Sequence, residues 1–261
     1  MSKRPPSTAR LSLIGGQKVA NGIFITGTDT GVGKTLVAGA IARLLFSEGI
    51  DVGVMKPFES GCRQTREGLL PEDAAYLKLS ARSEDPLRLI TPYSFQEPLA
   101  PYAAALRTNK KIDIARILKA FHQLQKRHTF LVVEGVGGLM VPLTARKDLI
   151  SLILLLKLPV LVVARSGLGT LNHTLLTLGS GAVRGISFSG IVLNRSTRGL
   201  DLSEKSNLEI LRKRCNLPVF GPLPFLGKRG SIEKNIEYSR KVLGRNDLLG
   251  TLISHWKHVL S

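Results

Sequence analysis

Residues 22–45 read GIFITGTDTGVGKTLVAGAIARLL, and this stretch sets the fold and the chemistry to expect. The apolar run Ile23–Ile25 predicts a buried strand, and the alanine-rich segment Leu36–Leu45 predicts a helix. The turn between them, Gly27–Thr35, contains glycines that let backbone N–H groups approach an anion closely. Because those amides and the start of the helix favour negative charge, we expect a phosphate-binding turn between strand and helix.

Two side chains at the end of this turn suit a nucleoside triphosphate. Lys34 can place a positive charge at the outer phosphates, and the Thr35 hydroxyl can ligate Mg²⁺. The motif G-x-x-x-x-G-K-[ST] would put its first glycine at Thr28, whereas this chain has Gly27 one residue earlier. The strand before the turn and the helix after it favour nucleotide binding over a glycine-rich turn that only precedes a helix.

The length and composition suit one large α/β domain. The chain has 261 residues and 43% hydrophobic content, which is enough for a buried core. Its longest apolar stretch, Leu149–Ala164, is interrupted by Lys157 and Pro159, so it predicts a helix followed by a strand and no membrane span. Two cysteines, Cys62 and Cys215, are too few for a disulfide framework and favour a reducing cytoplasm.

The chain is strongly basic, with 37 Lys and Arg residues against 19 Asp and Glu residues and a net charge of +18. Such a charge can suit nucleic acid or an anionic membrane. However, the basic residues are scattered and aromatic residues make up only 5% of the chain. We therefore expect no specific nucleic-acid partner and no membrane partner. The basic segment Met1–Asn21 lacks a long apolar core and predicts a flexible extension, not a secretory signal.

Strands and helices alternate after the first helix. The predicted strands are Asp51–Lys56, Phe130–Val133, Val160–Ala164, Ile186–Leu193 and Pro218–Pro224. Predicted helices include Pro98–Arg107, Ile112–Arg127 and Leu202–Arg214. Gly61–Glu67 is expected to be a polar loop, and Leu89–Phe95 an extended segment. This alternation predicts an α/β fold with a mostly parallel central sheet flanked by helices.

Charged side chains follow several of these strands, at one rim of the predicted sheet. Lys56 ends the second strand, where it can reach an anion bound at the turn. Glu134 ends an apolar strand, where a buried carboxylate needs a partner that Mg²⁺ would supply. Asp73 begins a helix after Pro71 and suits either a functional role or the helix dipole alone. A solvated lysine and an ordinary strand-end acid are the alternatives for Lys56 and Glu134.

Four stretches together resemble the dethiobiotin synthetase family. They are Gly27–Thr35 (GTDTGVGKT), Lys56-Pro57 with Ser60-Gly61, Glu134–Gly138 (EGVGG) and Gly169–His173 (GTLNH). The similarity runs in order from about Gly22 to about Leu226 and accounts for the irregular glycine spacing. It implies a three-layer P-loop NTPase-like fold, with an extension at residues 1–21 and a single ATP-binding catalytic domain at residues 22–261.

The resemblance implies an ATP- and Mg²⁺-dependent ring closure in biotin biosynthesis. The substrates would be 7,8-diaminononanoate and CO₂, or bicarbonate as its source. One amine forms a carbamate, ATP phosphorylates it to a carbamic-phosphoric anhydride, and the second amine closes the ureido ring of dethiobiotin. ADP and phosphate are released. A cytoplasmic homodimer is expected.

The resemblance also implies a role for individual residues. The catalytic residues would be Lys56 and Lys34, and the Mg²⁺ ligands Thr35, Asp73 and Glu134. The substrate-binding positions are Thr30 and Ser60, together with Gly169, Thr170 and Asn172 from the partner subunit. Asn194 matches the residue that reads adenine, and Pro224–Leu226 matches the loop behind the base. The full nucleotide-binding set is Gly31, Val32, Gly33, Lys34, Thr35, Leu36, Asp73, Glu134, Gly135, Val136, Gly137, Asn194, Arg195, Pro224, Phe225 and Leu226.

The chain departs from the family at Gly31, where some members carry glutamate, and Glu72 competes with Asp73 for the metal-ligand role. A ParA/MinD-like partition or positioning ATPase is one alternative, but such proteins carry an early lysine, in K-G-G-x-G-K-[ST], where this chain has Asp29. Amide-forming ligases of cobalamin synthesis carry a glutaminase domain, for which this chain is too short. A non-catalytic nucleotide-binding module would leave Lys56 and Asn172 without a role.

Overall fold

The computed structural model describes residues 21–199, 201–225, 231–244 and 250. The strands are β1 Gly22–Gly27, β2 Val52–Met55, β3 Phe58–Ser60, β4 Arg63–Thr65, β5 Gly68–Leu70, β6 Tyr93–Phe95, β7 Phe130–Glu134, β8 Val160–Arg165, β9 Phe188–Asn194 and β10 Val219–Leu223. The helices are α1 Lys34–Ser47, α2 Glu72–Ala81, α3 Leu87–Ile90, α4 Pro101–Arg107, α5 Ile114–Arg127, α6 Leu149–Leu156, α7 Thr170–Val183, α8 Ser203–Arg214 and α9 Ile232–Gly244. The predicted boundary between residues 1–21 and 22–261 stays a prediction, since 1–20 lie outside the described residues.

Six strands form the central sheet in the order β10-β9-β8-β1-β7-β2, and every neighbouring pair is parallel. The prediction of a mostly parallel sheet is therefore confirmed. Because β1 lies between β8 and β7, the loop that follows β1 leaves the middle of the sheet at its carboxyl rim. This is the edge at which open α/β sheets bind ligands.

Hydrophobic packing on both faces of the sheet makes three layers. Phe24 points to one face, where it packs in a core with Phe121 of α5 and Ile150 of α6. Ile23 and Ile25 point to the other face and share a core with residues of α1 and α2. Side chains alternate along a strand, so one apolar run such as β1 can serve both cores.

Two segments differ from the sequence-based expectation. The polar loop predicted at Gly61–Glu67 is wrong, because β4 and β5 form an antiparallel hairpin there. Arg63 and Gln64 are exposed and the other four strand residues are half-buried, so no alternating pattern indicates strands. Leu89–Phe95 is only partly extended, since α3 covers its first residues and β6 pairs with β3. Short apolar runs do not distinguish a helical turn from a strand.

The apolar stretch Leu149–Ala164 folds as predicted, into helix α6 followed by strand β8. Within the described ranges, no helix is both long enough and apolar enough to cross a membrane. Asp148 caps the start of α6, where its Oδ1 accepts hydrogen bonds from the backbone N–H and the hydroxyl of Ser151 at 2.9 and 2.7 Å. Arg184, which follows α7, donates to both carboxylate oxygens of Asp148.

Asp148→Ala is expected to lower the free energy of unfolding by about 1–2 kcal/mol at pH 7, because the helix loses its cap and Arg184 its partner. Burial alone would raise the pKa of Asp148, but Arg184 and Ser151 lower it to about 2. The stabilisation is therefore complete above the ordinary value of 3.8 and is lost as the pH falls through about 2. Urea unfolding at several pH values measures this.

Asp113 provides the matched control, since it caps α5 through a single exposed bond from Ala115 N at 2.9 Å and has no arginine partner among the described ion pairs. Asp113→Ala is expected to cost less, about 0.5–1 kcal/mol. Equal losses for the two alanine variants would show that Arg184 adds nothing to the cap.

Candidate active site

The loop between β1 and α1 is shaped by glycines at two crowded positions. A Cβ on Gly27 would lie 2.7 Å from the Asp29 carbonyl oxygen and 3.0 Å from Lys34 Nζ. A Cβ on Gly33 would lie 2.2 Å from Asn194 Nδ2, and the φ of Gly33 is 99°. The loop thus needs a glycine at position 27, which gives a physical reason for the irregular motif spacing.

Lys34 lies over the loop to which it belongs. Its Nζ donates a hydrogen bond to the Asp29 carbonyl oxygen at 2.8 Å, and the residue is 7% exposed. Burial lowers the pKa of Lys34, while the nearby Glu134 carboxylate opposes that change. The ammonium group is therefore held at the loop by the backbone, at the place where the sequence predicts phosphate.

Four side chains from different elements meet beside this loop. Lys56 follows β2, and its Nζ lies 2.7 Å from Glu134 Oε1 and 2.8 Å from Asp73 Oδ2. The Thr35 hydroxyl donates to the same Glu134 oxygen at 2.8 Å. The structure therefore brings together the predicted residues Lys56, Thr35, Asp73 and Glu134, and Lys56 points into the site.

The charges of this cluster depend on one another because it is buried. Lys56 is 5% exposed and Glu134 is 1% exposed. Burial alone would lower the pKa of Lys56, but Glu134 and Asp73 raise it above its usual range. Burial raises the pKa of Glu134, and the ammonium group of Lys56 opposes that rise. The arrangement is an ammonium group shared between two carboxylates.

The cluster also contains the oxygen atoms that suit a divalent cation. Glu134 Oε2 is buried and has no hydrogen-bond partner among the described residues. A hydroxyl and two carboxylates, from Thr35, Asp73 and Glu134, are the ligand types that Mg²⁺ prefers. The described residues contain no group of three or more His, Cys, Asp or Glu side chains that could hold a metal ion, here or elsewhere, so this site offers two carboxylates and one hydroxyl.

The structure separates the two acids at the start of α2. Glu72 points to the surface and accepts from Arg63 Nε at 2.9 Å. Asp73, the next residue, faces Lys56. Successive helical residues point in directions about 100° apart, so only one of the two can reach the cluster.

Segments from β7 and β9 also approach the loop. A Cβ on Gly138 would lie 3.4 Å from the Gly27 carbonyl oxygen, and one on Gly137 would lie 3.7 Å from Thr30 Oγ1. Asn194, at the end of β9, donates from Nδ2 to the Val32 carbonyl oxygen at 2.9 Å. These contacts place the glycines after Glu134 and the predicted base-reading residue at the same rim.

The remaining predicted residues lie at more varied places. Ser60 ends β3 and Asn172 is exposed in the first turn of α7, which Gly169 precedes with a φ of 89°. Thr170 is buried against Thr174.

The Arg195 side chain pairs with Glu204 of α8, Pro224 and Phe225 are half-buried after β10, and Leu226 lies outside the described residues. Leu36 is half-buried, Val32 buried and Gly31 exposed, while Gly135 is buried beside Phe24 and Val136 is half-buried.

Two contributions to the site escape sequence reasoning. Glu59, three residues after Lys56, accepts the backbone N–H groups of Asp73 and Ala74 at 2.8 and 2.9 Å. Burial raises the pKa of Glu59 to about 7, although both of these hydrogen bonds lower it. Arg165, at the end of β8, donates to Asp29 Oδ2 at 2.8 Å. A helix that begins after Pro71 without a capping side chain is a signal for Glu59; no comparable signal marks Arg165.

The central strand of this parallel sheet is followed by the glycine-rich loop and then by a helix that begins with Lys34-Thr35. This arrangement defines a nucleotide-binding protein of the P-loop NTPase class. A protein-family model described as an AAA domain matches residues 21–231. One solved structure, the MinC:MinD cell division protein complex of Aquifex aeolicus, matches with a TM-score of 0.50 and 16% identity, covering 92% of this chain and 96% of that chain. At this identity the likeness shows the fold alone.

Curated relatives identify the family more closely. This chain is 44% identical over 213 residues to the ATP-dependent dethiobiotin synthetase of Thermodesulfovibrio yellowstonii, covering 78% of this chain and 89% of that protein. It is 39% identical over 225 residues to the enzyme of the same name from Bacillus velezensis, covering 83% and 94%. The chain therefore belongs to the family of ATP-dependent dethiobiotin synthetases. The resemblance predicted from the sequence is confirmed.

Proposed function

We propose that this protein closes the ureido ring of dethiobiotin from 7,8-diaminononanoate and CO₂, using ATP and Mg²⁺ and releasing ADP and phosphate. The observation that carries the proposal is the position of Lys56, whose Nζ lies 2.7 Å from Glu134 and is linked through that acid to Thr35 of the phosphate loop. The names of the relatives support the same reaction.

The chemistry requires two anions to meet. A carbamate, formed from one amine and CO₂, attacks the γ-phosphorus of ATP, and the bond to ADP breaks. Both reactants are negatively charged, so catalysis is mainly a matter of positioning and of charge stabilisation. Lys34 and Lys56 supply two ammonium groups at the rim where these reactants would meet. The second amine then attacks the carbonyl carbon of the anhydride, and phosphate leaves.

Thr35, Asp73 and Glu134 would hold Mg²⁺, which supplies further positive charge at the ATP phosphates. Glu134 Oε2 supports this assignment, because it is buried and no described residue donates a hydrogen bond to it, which favours a cation. Asn194 and residues 224–226 would hold the adenine, while Gly31–Leu36 and Gly135–Gly137 would surround the phosphates.

The substrate would contact Thr30 and Ser60 of one subunit, and Gly169, Thr170 and Asn172 of a second copy in a homodimer. The outward face of α7 supports the homodimer. Leu176 and Val183 on this helix are 64% and 90% exposed, a degree that suits coverage by another chain. A cytoplasmic location fits the two free cysteines in the described residues.

The partition-ATPase alternative has less support. Asp29 occupies the position at which those proteins place a lysine, and its carboxylate accepts from Arg165 and from the Thr30 backbone N–H. A carboxylate held in this way is negatively charged and cannot replace the positive charge of a second loop lysine.

Purified protein is expected to convert 7,8-diaminononanoate, bicarbonate and ATP into dethiobiotin, ADP and phosphate in equal amounts. Dethiobiotin is measured by mass spectrometry and phosphate release is measured with and without the diamine. Phosphate release that does not need the diamine, and that DNA or anionic vesicles stimulate, would contradict the proposal and favour the alternative.

A further inference from the structure

The start of helix α2 lacks the capping side chain that helices normally have. Pro71 occupies the N-cap position, and it has no side-chain acceptor for the N–H groups of the first turn. Glu59 of β3 supplies the acceptors instead. Its Oε1 accepts from Asp73 N at 2.8 Å, and its Oε2 accepts from Ala74 N at 2.9 Å.

Packing alone does not account for a carboxylate at position 59. Glu59 is 5% exposed, and no ion pair to it occurs among the described residues. Burying such a charge costs free energy unless hydrogen bonds or dipoles compensate. The two N–H groups and the positive end of the α2 dipole offset part of that cost. Both oxygens of Glu59 are thus committed to the first turn of α2.

The same turn carries Asp73, whose Oδ2 lies 2.8 Å from Lys56 Nζ. Lys56 and Glu59 belong to one short segment and both contact α2. Glu59 holds the backbone of Asp73, and Lys56 contacts its side chain. The position of Asp73 relative to Lys56 therefore depends on Glu59, although Glu59 itself does not contact the ammonium group in any described ion pair.

We infer that Glu59 is a positioning residue for the ring-closing reaction, which fixes the carboxylate of Asp73 against Lys56 by holding the first turn of α2. This inference rests on the proposed function, because it assigns Glu59 a purpose through Lys56 and Asp73. Both side-chain hydrogen bonds that Glu59 makes within the described residues go to α2.

A double-mutant cycle between Glu59 and Asp73 tests this. Glu59→Gln keeps the shape but sets an NH₂ group against one of the two N–H donors, so kcat is expected to fall about tenfold while the KM for ATP changes less than about twofold. In the Asp73→Asn background, Glu59→Gln is expected to lower kcat by less than about twofold, because the residue through which it acts is already changed. Glu72→Gln, an exposed acid in the same turn, is the control and is expected to leave kcat unchanged.

A wild-type kcat in Glu59→Gln, or the same fold-loss in both backgrounds, would overturn the inference. If Glu59→Gln does not fold, the cycle is run with Glu59→Asp, which keeps the carboxylate but shortens its reach to the two N–H groups. The cycle is then judged by the same criteria. Absence of diamine-dependent turnover in the wild type would contradict the proposed function itself, whereas an active wild type with additive losses contradicts only the role of Glu59.

Discussion

Lys56→Ala is expected to lower kcat for dethiobiotin formation by at least about a thousandfold, because one of the two ammonium groups between the reacting anions is removed. ATP is expected to bind with an affinity within about tenfold of wild type, since Lys34 and the loop amides remain. Without Lys56, the buried Glu134 loses its charged partner and keeps only the hydrogen bond from Thr35, so the pKa of Glu134 rises further. Dethiobiotin formation measures kcat, and calorimetric titration with ATP measures the affinity.

Lys119→Ala is the control for this experiment, because Lys119 is an exposed lysine on α5. It is expected to leave both kcat and ATP affinity unchanged. A Lys56→Ala protein that folds, binds ATP and retains more than about a tenth of wild-type kcat would contradict the role proposed for the ammonium group.

Gly33→Ala is expected to weaken ATP binding at least about a hundredfold. The new Cβ would lie 2.2 Å from Asn194 Nδ2, and Asn194 is buried and bonded to the Val32 carbonyl oxygen. The φ of 99° adds strain of about 1–3 kcal/mol for a residue with a side chain. The loop and the predicted base-reading residue are therefore displaced together, which calorimetric titration with ATP measures.

Gly31→Ala separates backbone strain from the collision. Gly31 also has a positive φ, 74°, but nothing lies within 4 Å of a Cβ placed there. This variant is expected to bind ATP within about tenfold of wild type, because it carries the strain alone. Similar losses for the two variants would show that Asn194 is not involved.

The sequence was sufficient to predict the sheet, the phosphate loop and the meeting of Lys56, Thr35 and Glu134. Each of these residues lies next to an apolar strand or the glycine-rich turn, and the carboxyl ends of parallel strands share one rim. The position of a residue at the end of a strand was therefore enough to predict its contacts with residues far away in the sequence. The resemblance favoured Asp73 over Glu72, but the residues alone left both open, since the choice depends on how α2 is rotated against the sheet.

Glu59 could not be assigned a role for a different reason. Its partners are backbone N–H groups, which are present at every helix start. Pro71 marks α2 as a helix without its own capping side chain, but it does not indicate which distant residue supplies the acceptor. The hairpin at β4 and β5 was missed because none of its strand residues is fully buried, so burial imposes no alternating pattern on them. Contacts to the backbone and surface strands are thus the features that a single sequence conceals.

The central place of β1 has a consequence for synthesis on the ribosome. Its two neighbours in the sheet are β7 and β8, which end at Glu134 and Arg165. A nascent chain that has exposed only residues 22–47 holds the whole glycine-rich loop but neither of the strands that flank its base. We therefore expect the nascent chain to bind nucleotide only after β7 and β8 have been synthesised, well after the motif itself has emerged from the exit tunnel.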